Sequence, residues 1–272
     1  MAIKDWPGGT ITDIPVEPSG NYEDSAASGV WTVDQVSNYV KQDRWPTPGN
    51  IDPSKYVEGV FSTYLYTGTG VAQTITNGID LAGEGGLVWK KQREDGDWLN
   101  NYLVDSERDL YGAFNETLIT NSTAGNGSFG GGFIPLSDGF TLPDSAIFDA
   151  VKESVTWTFR KKAKFFDIVT YSSDTTSGAR TISHNLGSTP AFIIVKGLNF
   201  SDAWYVYHIG TGVNKYLELN LTGTGHASTN FWGVTDSTFT VDSFLNNNGS
   251  TGKDYVAYLF ASDAGGFGDD GS

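Results

Sequence analysis

The sequence of 272 residues contains no cysteine, one methionine and three histidines. The absence of cysteine excludes disulfide bonds, thiolate zinc sites and cysteine nucleophiles. Basic residues are also scarce, since 17 lysines and arginines stand against 32 aspartates and glutamates, for a net charge of −15. A chain this acidic has no broad basic surface to contact phosphates, so we expect no nucleic-acid partner.

The chain also lacks long hydrophobic runs. No stretch approaches the roughly 18 apolar residues that a membrane-spanning helix needs, so we expect no membrane insertion. Residues 1–9 do not contain the apolar segment of a secretory signal, so we expect synthesis in the cytoplasm without a signal peptide.

What the chain has in quantity is glycine, with 34 residues, and aromatic side chains, at 14%. Abundant threonine and aromatic residues with few strong helix formers favour strands over helices. From about residue 57, short aromatic and β-branched runs alternate with Gly, Asn, Asp and Ser, the spacing typical of a β-sandwich. The sequence therefore predicts an all-β protein.

Residues 1–56 have a different character and are predicted to form an N-terminal arm for assembly or attachment. Proline and glycine are frequent in residues 1–30, which favours an extended conformation. Thr32 and Gln35 form a capping-box pattern, which predicts a short helix over residues 32–42. A helix of about three turns needs a partner surface to be stable, either the domain that follows or another protein.

Short motifs recur in the same order in two parts of the chain, at offsets of 105 to 107, then 99, then 101 residues. We interpret this as an internal duplication of a unit of about 100 residues. It predicts two tandem antiparallel β-sandwich units, residues 57–161 and residues 162–272, the second with a flexible glycine-rich tail. The first unit is expected to carry an insertion near residues 125–132, and the matching aromatics to fill each sandwich core. The matched pairs are Tyr66 and Tyr171, Thr74 and Thr181, Ile75 and Ile182, Lys90 and Lys196, Trp98 and Trp204, Tyr102 and His208, Phe140 and Phe239, and Phe159 and Phe260.

Candidate residues for metal binding are few. His184, His208 and His226 share no ligand spacing and are interpreted as turn or surface histidines. The acidic turn at residues 94–97 is either a solvated hairpin tip or a calcium site. Residues 265–270 match the start of a calcium-binding nonapeptide once, whereas such sites need many stacked copies. We therefore predict no metal and no cofactor.

Candidate catalytic groups are equally few. A glycosidase needs two carboxylates that face each other across the substrate, and no pair is placed that way by the sequence. The basic cluster of residues 160–164 is interpreted as a solvated strand end or linker between the two units. We therefore predict no catalytic residue and a protein that is not an enzyme.

Six large apolar side chains of the arm and helix are candidate partner-docking residues. Exposed aromatic side chains are costly in water and anchor interfaces well. They pack on the first β unit, or they dock into a partner or a neighbouring copy, and the sequence leaves both readings open. The candidates are Trp6, Trp31, Val36, Tyr39, Val40 and Trp45.

Several segments carry a family resemblance. They are residues 156–161 followed by 165–171, residues 182–190, residues 193–196, and residues 255–261 ahead of the glycines at 265–268. Together with residues 27–32, 39–41 and 45–46 of the arm, they resemble marine tailed-phage virion proteins of the tail-fibre-like kind. The resemblance covers most of the chain, and the first unit is a divergent copy because residues 76–80 replace the His-Asn-Leu-Gly stretch of residues 184–187.

The resemblance implies a structural component of a tailed-phage virion, a tail fibre or tail-associated protein anchored through its arm, with an adhesive role toward the host surface. The implied partners are sister copies, other tail or neck proteins and host surface glycan. For the sister copies we expect a cyclic homo-oligomer, with a trimer as the first expectation and a hexameric or dodecameric ring as the rival. A carbohydrate-binding adhesive module and a glycan hydrolase are the alternatives.

Overall fold

The computed structural model describes residues 31–42, 57–93, 100–108, 114–144, 151–262 and 267. The chain divides into two compact units, Met1–Lys55 and Tyr56–Ser272. Among the described residues, the first unit contains one helix, and the second contains seventeen strands, one short helix and three 3₁₀ turns. The prediction of an all-β fold with one short helix ahead of it is confirmed.

Helix α1 spans Val33–Lys41 and begins at the cap that the sequence predicts. The Thr32 side-chain oxygen accepts a hydrogen bond from the backbone N–H of Gln35 at 3.3 Å, and Gln35 Oε1 accepts one from the backbone N–H of Thr32 at 2.9 Å. This reciprocal pair satisfies donors that have no partner within the helix. Helix α1 buries none of its residues. None of the helices that the structure describes has the length and apolarity to cross a bilayer.

The first half of the second unit is one antiparallel sheet of eight strands, in the order β1-β8-β3-β4-β5-β6-β7-β2. Strand β6 is long and pairs with β5 at one end and with β7 at the other, so the sheet folds over and encloses a core. The strands are β1 (Phe61–Thr67), β2 (Gln73–Thr76), β3 (Gly86–Gln92), β4 (Asn101–Asp105), β5 (Phe114–Ile119), β6 (Gly127–Leu136), β7 (Gly139–Leu142) and β8 (Glu153–Arg160), with helix α2 (Leu81–Glu84) before β3.

The second half consists of a six-stranded sheet, β14-β13-β12-β11-β17-β9, and a three-stranded sheet, β10-β16-β15. All pairings are antiparallel. The strands are β9 (Phe166–Ser172), β10 (Arg180–Ser183), β11 (Pro190–Gly197), β12 (Trp204–His208), β13 (Lys215–Glu218), β14 (His226–Ala227), β15 (Trp232–Val234), β16 (Thr238–Val241) and β17 (Asp254–Ala261).

The two halves share one topology. Strands β1 to β5 correspond in order to β9 to β13, and β7 and β8 correspond to β16 and β17. The two ends of the long strand β6 correspond to the separate strands β14 and β15. A hydrogen bond between two threonine side chains also occurs at the same place in both halves. The hydroxyls of Thr74 and Thr141 hydrogen-bond across β2 and β7 at 3.2 Å, and those of Thr181 and Thr240 do so across β10 and β16 at 3.0 Å. The domain boundaries at 57–161 and 162–272 remain a prediction.

The strand register corrects three of the sequence matches, of which those of Lys196 and Trp204 come first. Lys91 is opposite Asn101 and Val155, and Lys196 is opposite Trp204 and Val256. Lys91, not Lys90, is therefore the equivalent of Lys196, and Trp204 corresponds to Asn101 and not to Trp98, which lies outside the described residues. The slip matters because a shift of one residue moves every side chain to the opposite face of the sheet.

The extra residues of the first half also lie elsewhere than predicted. The offset between equivalent residues is 105 at Lys91 and Lys196 and falls to 99 at Leu118 and Leu217. The insertion therefore precedes β5, and most of the segment 125–132 belongs to strand β6, which begins at Gly127. The same register makes His208 the equivalent of Asp105 instead of Tyr102.

Three apolar clusters hold the second unit together. One lies inside the first half, a second inside the second half, and the third lies between the halves, where the outer faces of the two sheets meet. Phe140 and Phe239 occupy equivalent places in the two inner cores, as predicted. Phe159 and Phe260 do not, because both belong to the cluster between the halves, with ring centroids 5.3 Å apart.

The basic cluster between the halves is only partly solvated. Arg160 is buried at the end of β8 and contacts the carboxylate of Glu84 at 3.3 Å. The Lys161 ammonium donates a hydrogen bond to Glu107 Oε1 at 2.6 Å. The reading as a solvated strand end is therefore wrong for Arg160, because both neighbouring strands belong to packed sheets, whereas the reading as a short linker agrees with the position of the segment between β8 and β9.

Candidate ligand-binding cleft

The outer face of the sheet of the first half contains a cleft that is open to solvent. The cleft has a volume of about 430 Å³ and is lined by Trp89, Lys91, Asn101, Trp157 and Phe159, which we call the tryptophan cleft. This volume is within the usual range of small-ligand sites, about 300 to 1,000 Å³.

Two neighbouring rows of the sheet build the tryptophan cleft. In one row Trp157 of β8 is directly opposite Trp89 of β3. In the next row on the same face, Lys91 of β3 is opposite Asn101 of β4. Side chains two residues apart on a strand share a face, so the Trp-x-Lys spacing of β3 places an aromatic ring and an ammonium side by side.

The two indole rings form a corner. Their centroids are 5.9 Å apart and their planes are inclined by 68°. Neither ring is fully buried, and Lys91 is exposed. The cleft therefore presents aromatic surface in two directions, with a flexible cation at its edge.

Two lining residues contain buried polar atoms with no hydrogen-bond partner among the described residues. They are the indole nitrogen of Trp89 and the side-chain oxygen of Asn101. An unpaired buried donor or acceptor costs about 1–3 kcal/mol, and most such groups in proteins are paired. Two such atoms, one donor and one acceptor, on residues that line the same cleft therefore indicate a site where a polar ligand would supply the missing hydrogen bonds.

A second cavity adjoins the cleft, because Trp89 and Phe159 line both. It has a volume of about 300 Å³ and lies between the two halves, and the described residues of its wall present only apolar surface to it. Its other lining residues are apolar or aromatic and come from both halves. They are Leu87, Leu103, Phe192, Ile194, Tyr258 and Phe260.

The equivalent positions of the second half are closed. Lys196 and Trp204 are fully buried there. Lys196 Nζ donates to the carbonyl oxygens of Thr123 and Asp202, both at 3.1 Å. Burial lowers the pKa of Lys196 to about 8, although the Asp202 carboxylate acts in the opposite direction.

A buried polar group joins the halves beside the apolar cavity. The Asp105 carboxylate accepts a hydrogen bond from the Tyr258 hydroxyl and another from Arg108 Nε, each at 2.6 Å. Arg108 also donates to the side-chain oxygen of Asn126 at 2.6 Å. Because burial raises the pKa of Tyr258 well above its usual value, its hydroxyl stays protonated and donates at neutral pH. This group fixes the position of β17 on the first half.

Four of the six predicted docking residues lie on or beside helix α1. Val40 is 53% exposed, while Val36, Tyr39 and Trp31 are half-buried. Trp31 and Tyr39 contact each other edge to face, with centroids 5.2 Å apart. Trp6 and Trp45 lie outside the described residues, so the docking role of the set stays a prediction.

The histidines and acidic residues do not form a centre in the described part of the chain, where no group of three or more has the geometry of a metal site. His184 lies in the connection between β10 and β11, as the turn reading predicts, but it is buried and accepts a hydrogen bond from the Leu186 N–H. Burial lowers the pKa of His184. The acidic turn of residues 94–97 and the segment 268–272 lie outside the described residues.

Neither Trp89 nor Trp157 was a candidate site residue on the sequence. Trp157 lies within residues 156–161, which carry part of the family resemblance, and Trp89 precedes the matched Lys90. The signal that would have found the cleft is the alternation along β3, where Trp89 and Lys91 share a face opposite a second tryptophan.

Residues 52–272 match a family described as a domain of unknown function, DUF7483. The chain belongs to the DUF7483 family. The DUF7483 domain takes in both halves of the β body and the tryptophan cleft, whereas helix α1 precedes it. No curated protein matches the chain, and no solved structure matches it.

Proposed function

We propose that this protein is a non-enzymatic structural component of a tailed-phage virion, a tail fibre or tail-associated protein, with an adhesive role toward the host surface. Its partners are sister copies in a cyclic oligomer, with a trimer as the first expectation, and other tail or neck proteins. The sequence resemblance motivates this proposal. The folded chain adds an observation of its own, which concerns helix α1.

Helix α1 carries the assembly part of the proposal. It has nine residues, buries none of them, and leaves Val33 84% exposed and Val40 53% exposed. A helix this short is marginal in water unless its apolar face packs against another surface. A second copy supplies such a surface, and repeated weak contacts between arms add up in a closed ring.

The test is native mass spectrometry of the full chain beside the variant Val36→Asp. We expect a closed oligomer for the unaltered chain and monomers for the variant, because the new carboxylate lies on the apolar face of α1. Asn38→Asp adds the same charge on the opposite face and should leave the oligomer intact. A monomeric unaltered chain would contradict the assembly role.

Carbohydrate binding is the second candidate function, and the tryptophan cleft favours it. It is compatible with the first, because an adhesive virion protein needs a surface that contacts the host. A hydrolase would need in addition a pair of carboxylates at the cleft, and its described lining contains none.

A further inference from the structure

We propose that the tryptophan cleft binds a sugar ring of a neutral glycan, held by Trp89 and Trp157 and by hydrogen bonds to Lys91 and Asn101. This inference rests on the adhesive part of the proposed function and gives it a location. It follows from the shape of the cleft, its polar groups and the charge of the chain.

The aromatic corner suits a pyranose ring. One face of such a ring exposes C–H groups that are apolar and carry partial positive charge, whereas an aromatic face carries partial negative charge. Trp89 and Trp157 meet at 68°, so a ring that stacks on one indole contacts the edge of the other. This arrangement restricts the orientation of the bound ring more than a single flat platform does.

Polar groups lie beside the aromatic corner. Lys91 and Asn101 are opposite each other one row from the tryptophans, and they supply an ammonium and an amide. The unpaired oxygen of Asn101 is an acceptor, and the unpaired indole nitrogen of Trp89 is a donor. Sugar hydroxyls both donate and accept, so a bound ring offers partners of both kinds. Because both atoms are buried, the Asn101 amide and the Trp89 indole must turn toward the cleft to reach them.

Charge decides between classes of sugar. The chain has a net charge of −15, and Lys91 is the one charged side chain in the described lining of the cleft. The excess of negative charge on the chain repels acidic sugars and sulfated glycans as they approach, and salt screens this repulsion only beyond about 8–10 Å. We therefore assign a neutral ligand.

The cleft is also preorganised for binding. Its five residues lie on three neighbouring strands, β8, β3 and β4, and not on loops. Side chains on paired strands lose little freedom when a ligand binds, so less of the contact energy is spent on ordering them.

The experiment titrates the full chain with a panel of neutral disaccharides, namely maltose, cellobiose, lactose and N,N′-diacetylchitobiose. Binding is followed by calorimetry and by saturation-transfer NMR, up to about 20 mM because single sugar sites are weak. We expect at least one disaccharide to bind with one site per chain, and Trp157→Ala to weaken it at least tenfold.

Matched variants separate the cleft from general effects on folding. Lys91→Ala alters an exposed side chain and should weaken binding several-fold with unchanged unfolding. Phe244→Ala removes an aromatic side chain that is 45% exposed in the second half and should leave binding unchanged. 3′-Sialyllactose, the acidic counterpart of lactose, should bind more weakly than lactose.

Three results would overturn the proposal. They are no binding across the panel, binding that neither Trp157→Ala nor Lys91→Ala weakens, and self-association that Trp157→Ala abolishes in a chain that binds no sugar. The last result would assign the cleft to a contact between copies. An oligomer that binds no sugar would leave the assembly role intact, and a sugar-binding monomer would leave the cleft intact, so the two proposals fail separately.

Discussion

The two halves of the β body place equivalent residues in opposite environments. In the first half, Trp157, Lys91 and Asn101 line an open cleft. In the second half, the corresponding Tyr258, Lys196 and Trp204 are fully buried. The topology is shared, so strand order alone does not decide which positions meet solvent.

The difference arises from one turn of the first half. The indole nitrogen of Trp204 donates to the carbonyl oxygens of Ile119 and Ser122, at 3.3 and 3.0 Å, and Lys196 donates to that of Thr123. The turn after β5 thus covers the outer face of the second half. The equivalent turn after β13 leaves Leu219 and Leu221 exposed. Packing between the halves is therefore unequal, and the uncovered face becomes available for a ligand.

The largest effect on stability should come from truncating a buried residue of the second half, compared with truncating its equivalent in the open cleft. Trp204→Ala removes a fully buried indole from the cluster between the halves, so we expect the free energy of unfolding to fall by about 3–5 kcal/mol. Asn101→Ala, at the equivalent position of the open cleft, should not lower it, because this change removes a buried side-chain oxygen that has no hydrogen-bond partner among the described residues. Urea unfolding measures both. Similar losses at the two positions would contradict the unequal packing.

An intermediate effect should appear in the pH dependence of stability. Lys196 has a folded pKa of about 8 and an ordinary value of 10.5, so between these pH values the unfolded chain binds more protons. Stability should therefore rise with pH in this window, by at most about 1.4 kcal/mol per pH unit. Urea unfolding at pH 7.5, 8.5 and 9.5 tests this, and Lys196→Met should flatten the rise, whereas Lys91→Met should keep it.

The rise should reverse above pH 10. Burial raises the pKa of Tyr255 to about 12 and those of Tyr171 and Tyr258 well above their usual value. At such pH the unfolded chain loses phenolic protons that the folded chain keeps, so stability falls as pH increases. A steady rise through pH 11 would show that these hydroxyls ionise in the folded state.

The smallest effect should come from positions where the halves agree. Thr141→Val removes one hydroxyl of the pair with Thr74, and Thr240→Val removes one of the pair with Thr181. Each should cost about 0.2–1 kcal/mol, the usual size of a cross-strand pair, and the two values should match. Thermal unfolding of the two variants provides the comparison, and unequal values would limit the likeness of the halves to strand order.

Much of the fold follows from local pattern. The cap of helix α1 was predictable because Thr32 and Gln35 interact over one turn. The match of Thr74 and Ile75 with Thr181 and Ile182 was also predictable, because short motifs persist in order. The match of Lys90 with Lys196 was wrong by one residue. Strand register depends on pairing with the neighbouring strand, and similarity of short motifs along the chain does not specify that pairing.

The candidate cleft was not predictable in the same way. Trp89 and Trp157 are far apart in sequence and become neighbours only through the pairing of β3 with β8. Trp157 is equivalent in register to Tyr258, which is fully buried, so this equivalence by itself would predict a buried role for both. The spacing of Trp89 and Lys91 on one face was the usable clue.

The sequence by itself determined an all-β body, a capped helix ahead of it and the recurrence of one strand order, because these depend on composition, on short-range contacts and on motif order. Only the tertiary structure decided which outer face is covered. Strand β17 has apolar residues on both faces, with Ala257 in the inner core and Tyr258 between the halves, so alternation does not tell core from interface. That choice depends on shape complementarity between surfaces distant in sequence, and it leaves Trp89 and Trp157 partly exposed to solvent.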